Sequence, residues 1–299
     1  MVFQLQTNNT FTSVFTTFLQ KNDKRRFSDS NEHDTLWSKL RLSLNIDKEA
    51  LMAINFDSTW VQSVRTLLQQ GHFAEAVAHT GRALRSPGND TNGRLVQLHG
   101  LTLYVHGEHE AARDALESAL LLSPLTAESL LALADLYIKN SQQKDACVSL
   151  NILVEDIDTV PTELLPRIAG LLGKVGEIRK ALFVCYRVVD NDPDCDEAIF
   201  AAAHYMRKLG YAPNAVICMM RRAVSLAPDN CDYRRSLAAA LSINGEIEAA
   251  YSLLTSISTD DICCKNCLKL MANVFEQFGD SERLAECQGR LFEIDSGAS

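Results

Sequence analysis

The sequence predicts an all-α fold, a solenoid of about seven helical hairpins built from one unit repeated about every 34 residues. Three observations predict it. A turn residue recurs at Gly71, Gly107, Ser141, Gly176, Gly210, Gly245 and Gly279, at intervals of 36, 34, 35, 34, 35 and 34. Each marker has company at fixed offsets: an alanine stands five residues after six of the seven (Ala76, Ala112, Ala146, Ala181, Ala215, Ala250), with Leu284 in the seventh. Before each marker, apolar residues fall three, four and seven apart, as in Leu130, Leu133, Ala134 and Tyr137 or Leu268, Met271, Ala272 and Phe275. That spacing puts one buried stripe on a helix.

Each element of the unit has its own reason. The first helix carries the apolar stripe and ends at the turn residue. The second helix begins just after it and is closed by proline, which has no amide to continue a helix. Pro124 and Pro193 stand seventeen residues after Gly107 and Gly176, and Pro87 and Pro228 fall within one residue of that offset. Small residues mark where two helices cross closely: Gly100, Ala134, Ala169, Ala203, Ala238 and Ala272 in first helices, the alanines above in second helices.

On these residues the chain resembles the tetratricopeptide repeat, whose pattern runs W-x2-L-G-x2-Y, then Gly, A-x3-F and a closing Pro. Trp60 matches the first position in the first unit, Gly100 the glycine in the second and Tyr137 the tyrosine in the third. The match covers about residues 57 to 295, although Trp occurs in that place once and the third and sixth units lack the closing Pro. The resemblance implies a right-handed α-α superhelix whose first helices line a concave groove for a protein or peptide partner.

Two regions are expected: residues 1–56, a polar leader with short capping helices, and residues 57–299, the array. The first twenty residues have no charged side chain and are followed by a basic patch, Lys21 to Arg26, the reverse of a secretory peptide. Phe11, Val14, Phe15, Phe18 and Leu19 share one helical face. The segment reads as a leader docked on the first repeat, a partner-binding segment, or an export signal of the type III secretion kind. Residues 36–44 and 48–54 read as short helices that cap the array.

Charge excludes more than it assigns. Residues 1–56 carry a net +1 and the array a net −10, which disfavours nucleic acid because affinity for phosphates needs a basic face. The longest apolar stretch, 115–133, is broken by Glu117, Ser123, Pro124 and Glu128, so no membrane span is predicted. Nine cysteines, an odd number without regular pairing, fit a reducing, cytoplasmic setting. Cys263, Cys264 and Cys267 form the one cluster that could hold a metal or act as a redox switch, but a tetrahedral zinc site needs a fourth ligand that the sequence does not supply nearby. Their recurrence at unit starts, with Cys195 and Cys231, reads as packing. His99, His106 and His109 are close in sequence without converging, and carboxylates such as Glu246, Glu248, Asp260 and Asp261 sit where helix amides need caps. No nucleophile motif, phosphate loop or dinucleotide-binding glycine cluster is present, so neither an enzyme nor a cofactor is expected.

The resemblance also assigns the groove, since positions two, five, nine and twelve of each unit face it. They are Arg65, Leu68, Arg94, Gln97, Leu101 and Tyr104 in the first two units, and Glu197, Phe200, His204, Arg207, Arg235, Lys269 and Asn273 in units five to seven. The family's carboxylate clamp, Lys at five and Asn at nine, is replaced by Val61 and Arg65. The expected groove has Tyr104 and Phe200 as anchors and Arg207 and Arg235 for acidic side chains. The expectation is thus a non-enzymatic interaction scaffold or chaperone, in its narrowest form an accessory of a bacterial protein-secretion system. A thiol- or metal-switched adaptor and an RNA-binding helical repeat are the alternatives.

Overall fold

The computed structural model describes residues 59–86, 89, 92–259, 262 and 264–296, with the backbone alone for 59–61. The leader, both proposed capping helices, Pro87, Asp260, Asp261, Cys263 and the Trp60 side chain lie outside that description. The described residues hold fourteen α-helices in seven hairpins and no strand. The pairs are α1 (Thr59–Gln69) with α2 (Phe73–Leu84), α3 (Gly93–His106) with α4 (His109–Leu122), and α5 (Ala127–Lys139) with α6 (Gln143–Glu155). Then follow α7 (Leu165–Lys174) with α8 (Ile178–Asn191), α9 (Asp196–Lys208) with α10 (Pro213–Leu226), α11 (Cys231–Ile243) with α12 (Ile247–Leu254), and α13 (Lys265–Phe278) with α14 (Ser281–Ser296). Each helix packs on its neighbours in the chain, and first helices also touch across units, α3 on α5, α5 on α7 and α11 on α13. Contacts made chiefly between neighbouring units define a solenoid.

The turn markers are where the chain reverses. Six are glycines with φ between +74° and +93°, and the seventh, Ser141, adopts φ +60° despite its side chain. At Gly107 the turn closes by Gly107 N–H to the Tyr104 carbonyl at 3.1 Å and Glu108 N–H to the Leu103 carbonyl at 3.0 Å, satisfying carbonyls that the helix end leaves open. Gly100 is needed for a different reason. A methyl group there would sit 2.8 Å from Leu116 Cγ, so glycine lets α3 and α4 approach.

The alanine rule holds at Ala76, Ala112, Ala146, Ala181 and Ala250, each 0% exposed. It fails at Ala215, which is exposed, while Val216 is buried in its stead. Here α10 starts at Pro213 with Ala212 as N-cap, one residue later after the glycine than its counterparts, and the extra residue rotates the helix by one position. Ala272 is half-buried rather than buried. The two units without a closing proline have longer connectors. The third uses two 3-10 turns, Ile157–Thr159 and Thr162–Leu164, and the sixth a short α12 followed by a run pinned by buried Ile257 and Ile262.

Packing accounts for fewer cysteines than expected. Cys185 and Cys287 are buried, and burial pushes the Cys287 thiol up to about 11, but Cys218 and Cys231 are exposed. Cys195 and Cys264 are N-cap residues and Cys231 opens α11, so the recurrence marks helix starts rather than core positions.

Candidate functional site

The first helices of units two to four share a polar cluster, built from the C-terminal parts of α3 and α5 and the first turn of α7. Tyr104, in the last turn of α3, is only 5% exposed, and its hydroxyl donates to Asp135 Oδ2 at 2.5 Å. Arg167 on α7 donates from Nη2 to the same hydroxyl oxygen at 2.6 Å. Asp135 is itself buried and pairs with Lys139 one turn later on α5, at 3.0 Å. The Lys139 ammonium lies 5.2 Å and the Arg167 guanidinium 5.8 Å from the Tyr104 ring centre, within cation–π range. His109, at the start of α4, stands 3.5 Å from Lys139 Nζ. Burial raises the Tyr104 hydroxyl well above the usual phenol range, so it stays a donor. Desolvation first, and the Lys139 charge second, hold His109 below the usual histidine range. Among the described residues, two basic side chains thus face one carboxylate, a locally positive spot in an acidic array.

The structure separates the expected groove residues into two sets. Arg94, Arg207 and Lys269 are exposed on first helices and Arg65 is half-buried. Tyr104, Phe200, His204 and Arg235 are buried, which corrects their assignment as groove contacts. Phe200 stacks on Tyr233 at 4.3 Å and belongs to the core between units five and six. His204 lies 3.5 Å from Arg207 Nη2, and Arg235 is engaged by Asp232 on its own helix, so neither is presented to a partner. Leu68 and Leu101 are core, and Gln97 is an inter-unit tie: its amide donates to the Ser123 hydroxyl at 3.1 Å and the Pro124 carbonyl at 3.0 Å and accepts from Thr126 N–H at 3.0 Å. Glu197 and Asn273 are exposed.

Sequence reasoning missed Asp135, Lys139 and Arg167. Asp135 occupies position nine of the third unit, so the same positional rule extended to that unit reaches it. Arg167 follows the 3-10 turns that break the unit's spacing, and no sequence signal marks it.

Cys264 caps α13 and Cys267 lies in its first turn. Among the described residues no group of three His, Cys, Asp or Glu could hold a metal ion. His99, His106 and His109 have separate partners, in Thr80 at 2.8 Å, Glu108 at 3.6 Å and Lys139 respectively. Among the described residues no helix is long and apolar enough to cross a membrane.

No protein-family model matches the chain, and no curated protein matches it. Solved structures do. The C-terminal part of a TPR repeat-containing protein from Cytophaga hutchinsonii superposes with a TM-score of 0.59 at 11% identity, covering 79% of this chain and 95% of that one. A tetratricopeptide repeat protein from Parabacteroides merdae gives 0.54 at 17% identity, over 79% of this chain and 91% of that one. PilF of Pseudomonas aeruginosa gives 0.54 at 18% identity, over 70% of this chain and 95% of that one. The fold is that of tetratricopeptide repeats.

Proposed function

We propose that the chain is a non-enzymatic protein-interaction scaffold or chaperone that holds an acidic protein segment against its first-helix face. The observation that carries this reading is the placement of Lys139 and Arg167 around Tyr104, with a single carboxylate, Asp135, between them. Exposed Arg94, Arg207 and Lys269 extend basic character along the first helices of a protein whose net charge is −9. Opposite charge along a groove steers a partner and fixes its direction. The finer reading, an accessory of a bacterial protein-secretion apparatus acting in the cytoplasm, rests on the uncharged first twenty residues beside the acidic array and on the odd cysteine count.

A panel of labelled peptides of equal length tests the coarser reading, with glutamate-rich, lysine-rich and neutral members titrated into the full chain. Selective binding of the glutamate-rich member, weakened by salt, is expected. Equal binding of all three, or none, would remove the reading. For the finer one, removal of residues 1–20 should abolish association with the secretion apparatus without changing peptide affinity; unaltered association contradicts it.

A further inference from the structure

The connector after α12 carries a chemical oddity. α12 has eight residues, the shortest second helix, and ends before the run Thr255-Ser256-Ile257-Ser258-Thr259. Ile257 and Thr259 are buried and hold the run in place, while Ser256 is exposed. Arg283 on α14 fastens the backbone, donating from Nη2 to the Thr255 and Ile257 carbonyls at 2.8 and 3.0 Å. The run borders an open cavity of about 500 Å³, which Arg290 also lines.

Three guanidinium groups thus surround this connector, and their pairing differs. Arg283 has Glu286 at 3.5 Å and Arg290 has Glu293 at 2.8 Å. Among the described residues, Arg234, on α11, has neutral acceptors only: the Ser256 hydroxyl at 2.6 Å and the Cys231 sulfur at 3.2 Å. Its Nε is buried without a hydrogen-bond partner. A half-buried guanidinium whose best acceptor is an uncharged hydroxyl is a cation short of an anion, since its strong partners are carboxylate and phosphate. The hydroxyl already occupies the bonding direction, so a free anion would have to displace it, whereas a group esterified to that oxygen would add charge in place.

We propose that Ser256 is a phosphorylation site and that Arg234 clamps the phosphoserine. The phosphoryl group comes from a nucleoside triphosphate in the hands of a protein kinase. Ser256 Oγ forms a bond to the γ-phosphorus, the bond from that phosphorus to the β–γ bridging oxygen breaks, the nucleoside diphosphate leaves, and the hydroxyl proton passes to the kinase's base. The product presents a dianion with three acceptor oxygens to Arg234, with Arg283 on the adjoining backbone. The modification ties the connector to α11 and so fixes the junction of the last two units.

Two measurements test this. Phosphopeptide mapping of the full chain, isolated from the cells that make it with phosphatases inhibited, should find phosphate on Ser256. Phosphate confined to Thr255 or Ser258, or absent, overturns the site. The full chain with phosphoserine incorporated at position 256 is then titrated by phosphorus NMR. Its second ionisation should move from about 6 toward about 5 when Arg234 is present and return in R234Q; identical curves overturn the clamp. Tight binding of inorganic phosphate to the unmodified chain, lost in R234Q, would assign the position to a free anion and likewise overturn the proposal.

Discussion

The Tyr104 hydroxyl and the Asp135 carboxylate, 31 residues apart in sequence, share a 2.5 Å hydrogen bond that joins the first helix of the second unit to that of the third. Arg167, 63 residues from Tyr104, extends the tie to the fourth unit. One phenol oxygen therefore spans three repeats, in a fold where each repeat otherwise depends on its neighbours alone. Tyr104→Phe keeps the ring and removes the bond, leaving a buried carboxylate with one donor fewer and Arg167 without its acceptor. The expected loss is about 1–3 kcal/mol, read as a lowered urea midpoint. Asp135→Ala combined with Tyr104→Phe should cost less than the two single changes together, because each of them removes the same bond.

The turn residues make a matched pair of predictions. Ser141 holds φ +60° with a side chain attached, and Gly176 holds φ +85° with nothing within 4 Å of an added methyl group. Ser141→Gly should stabilise the chain by about 1 kcal/mol and Gly176→Ala should destabilise it by about as much, since backbone conformation is the only variable. Thermal melts of the two variants should move in opposite directions.

Gly100 is sensitive to bulk rather than to conformation. Gly100→Ala brings its methyl group to 2.8 Å from Leu116 Cγ and should cost about 1–3 kcal/mol by overpacking. In a Leu116→Ala background, which lacks both side-chain atoms that the methyl group meets, Gly100→Ala should cost less than it does in the unaltered chain, in the same denaturation experiment.

Acid should weaken the second unit. Burial lowers the pKa of His99, with Arg85 acting in the same direction and Glu108 against it, and its Nδ1 sits 2.8 Å from Thr80 Oγ1. The unfolded chain takes up its proton near pH 6.5 and the folded chain only at lower pH. The stabilising contribution is therefore complete above about pH 6.5 and is lost as pH falls from there through the folded value. His109, also lowered, acts in the same sense. Melting temperature should fall between pH 7 and pH 5, and His99→Gln should flatten that slope. An unchanged slope would show that His99 is not responsible.

Much of the fold was legible because its punctuation is local chemistry. A left-handed turn selects glycine and a close helix crossing selects alanine, so Gly71 to Gly279 and Ala76 to Ala250 announce the hairpins from residue identity. Ala215 misled because the turn after Gly210 holds one extra residue before α10, and a one-residue shift moves a side chain by a quarter-turn of helix. The site was less legible. Position within a unit names the helix face but not the partner that a side chain finds across it. Phe200 meets Tyr233 and Arg235 meets Asp232, so residues suited to a partner are spent inside the array. Arg167 follows an irregular connector and falls outside every positional rule.

In the proposed function the first-helix face, and not the acidic protein at large, recognises an acidic segment. The most direct measurement is a titration of a glutamate-rich peptide into two charge-reversed forms of the full chain, both shown to melt as the unaltered protein does. One carries Arg94→Glu, Arg207→Glu and Lys269→Glu on first helices; the other carries Lys180→Glu, Arg187→Glu and Arg221→Glu on second helices. The first form should lose affinity tenfold or more, about 1.4 kcal/mol, while the second should stay within about twofold. Equal losses in both forms, or a loss confined to the second, would contradict it.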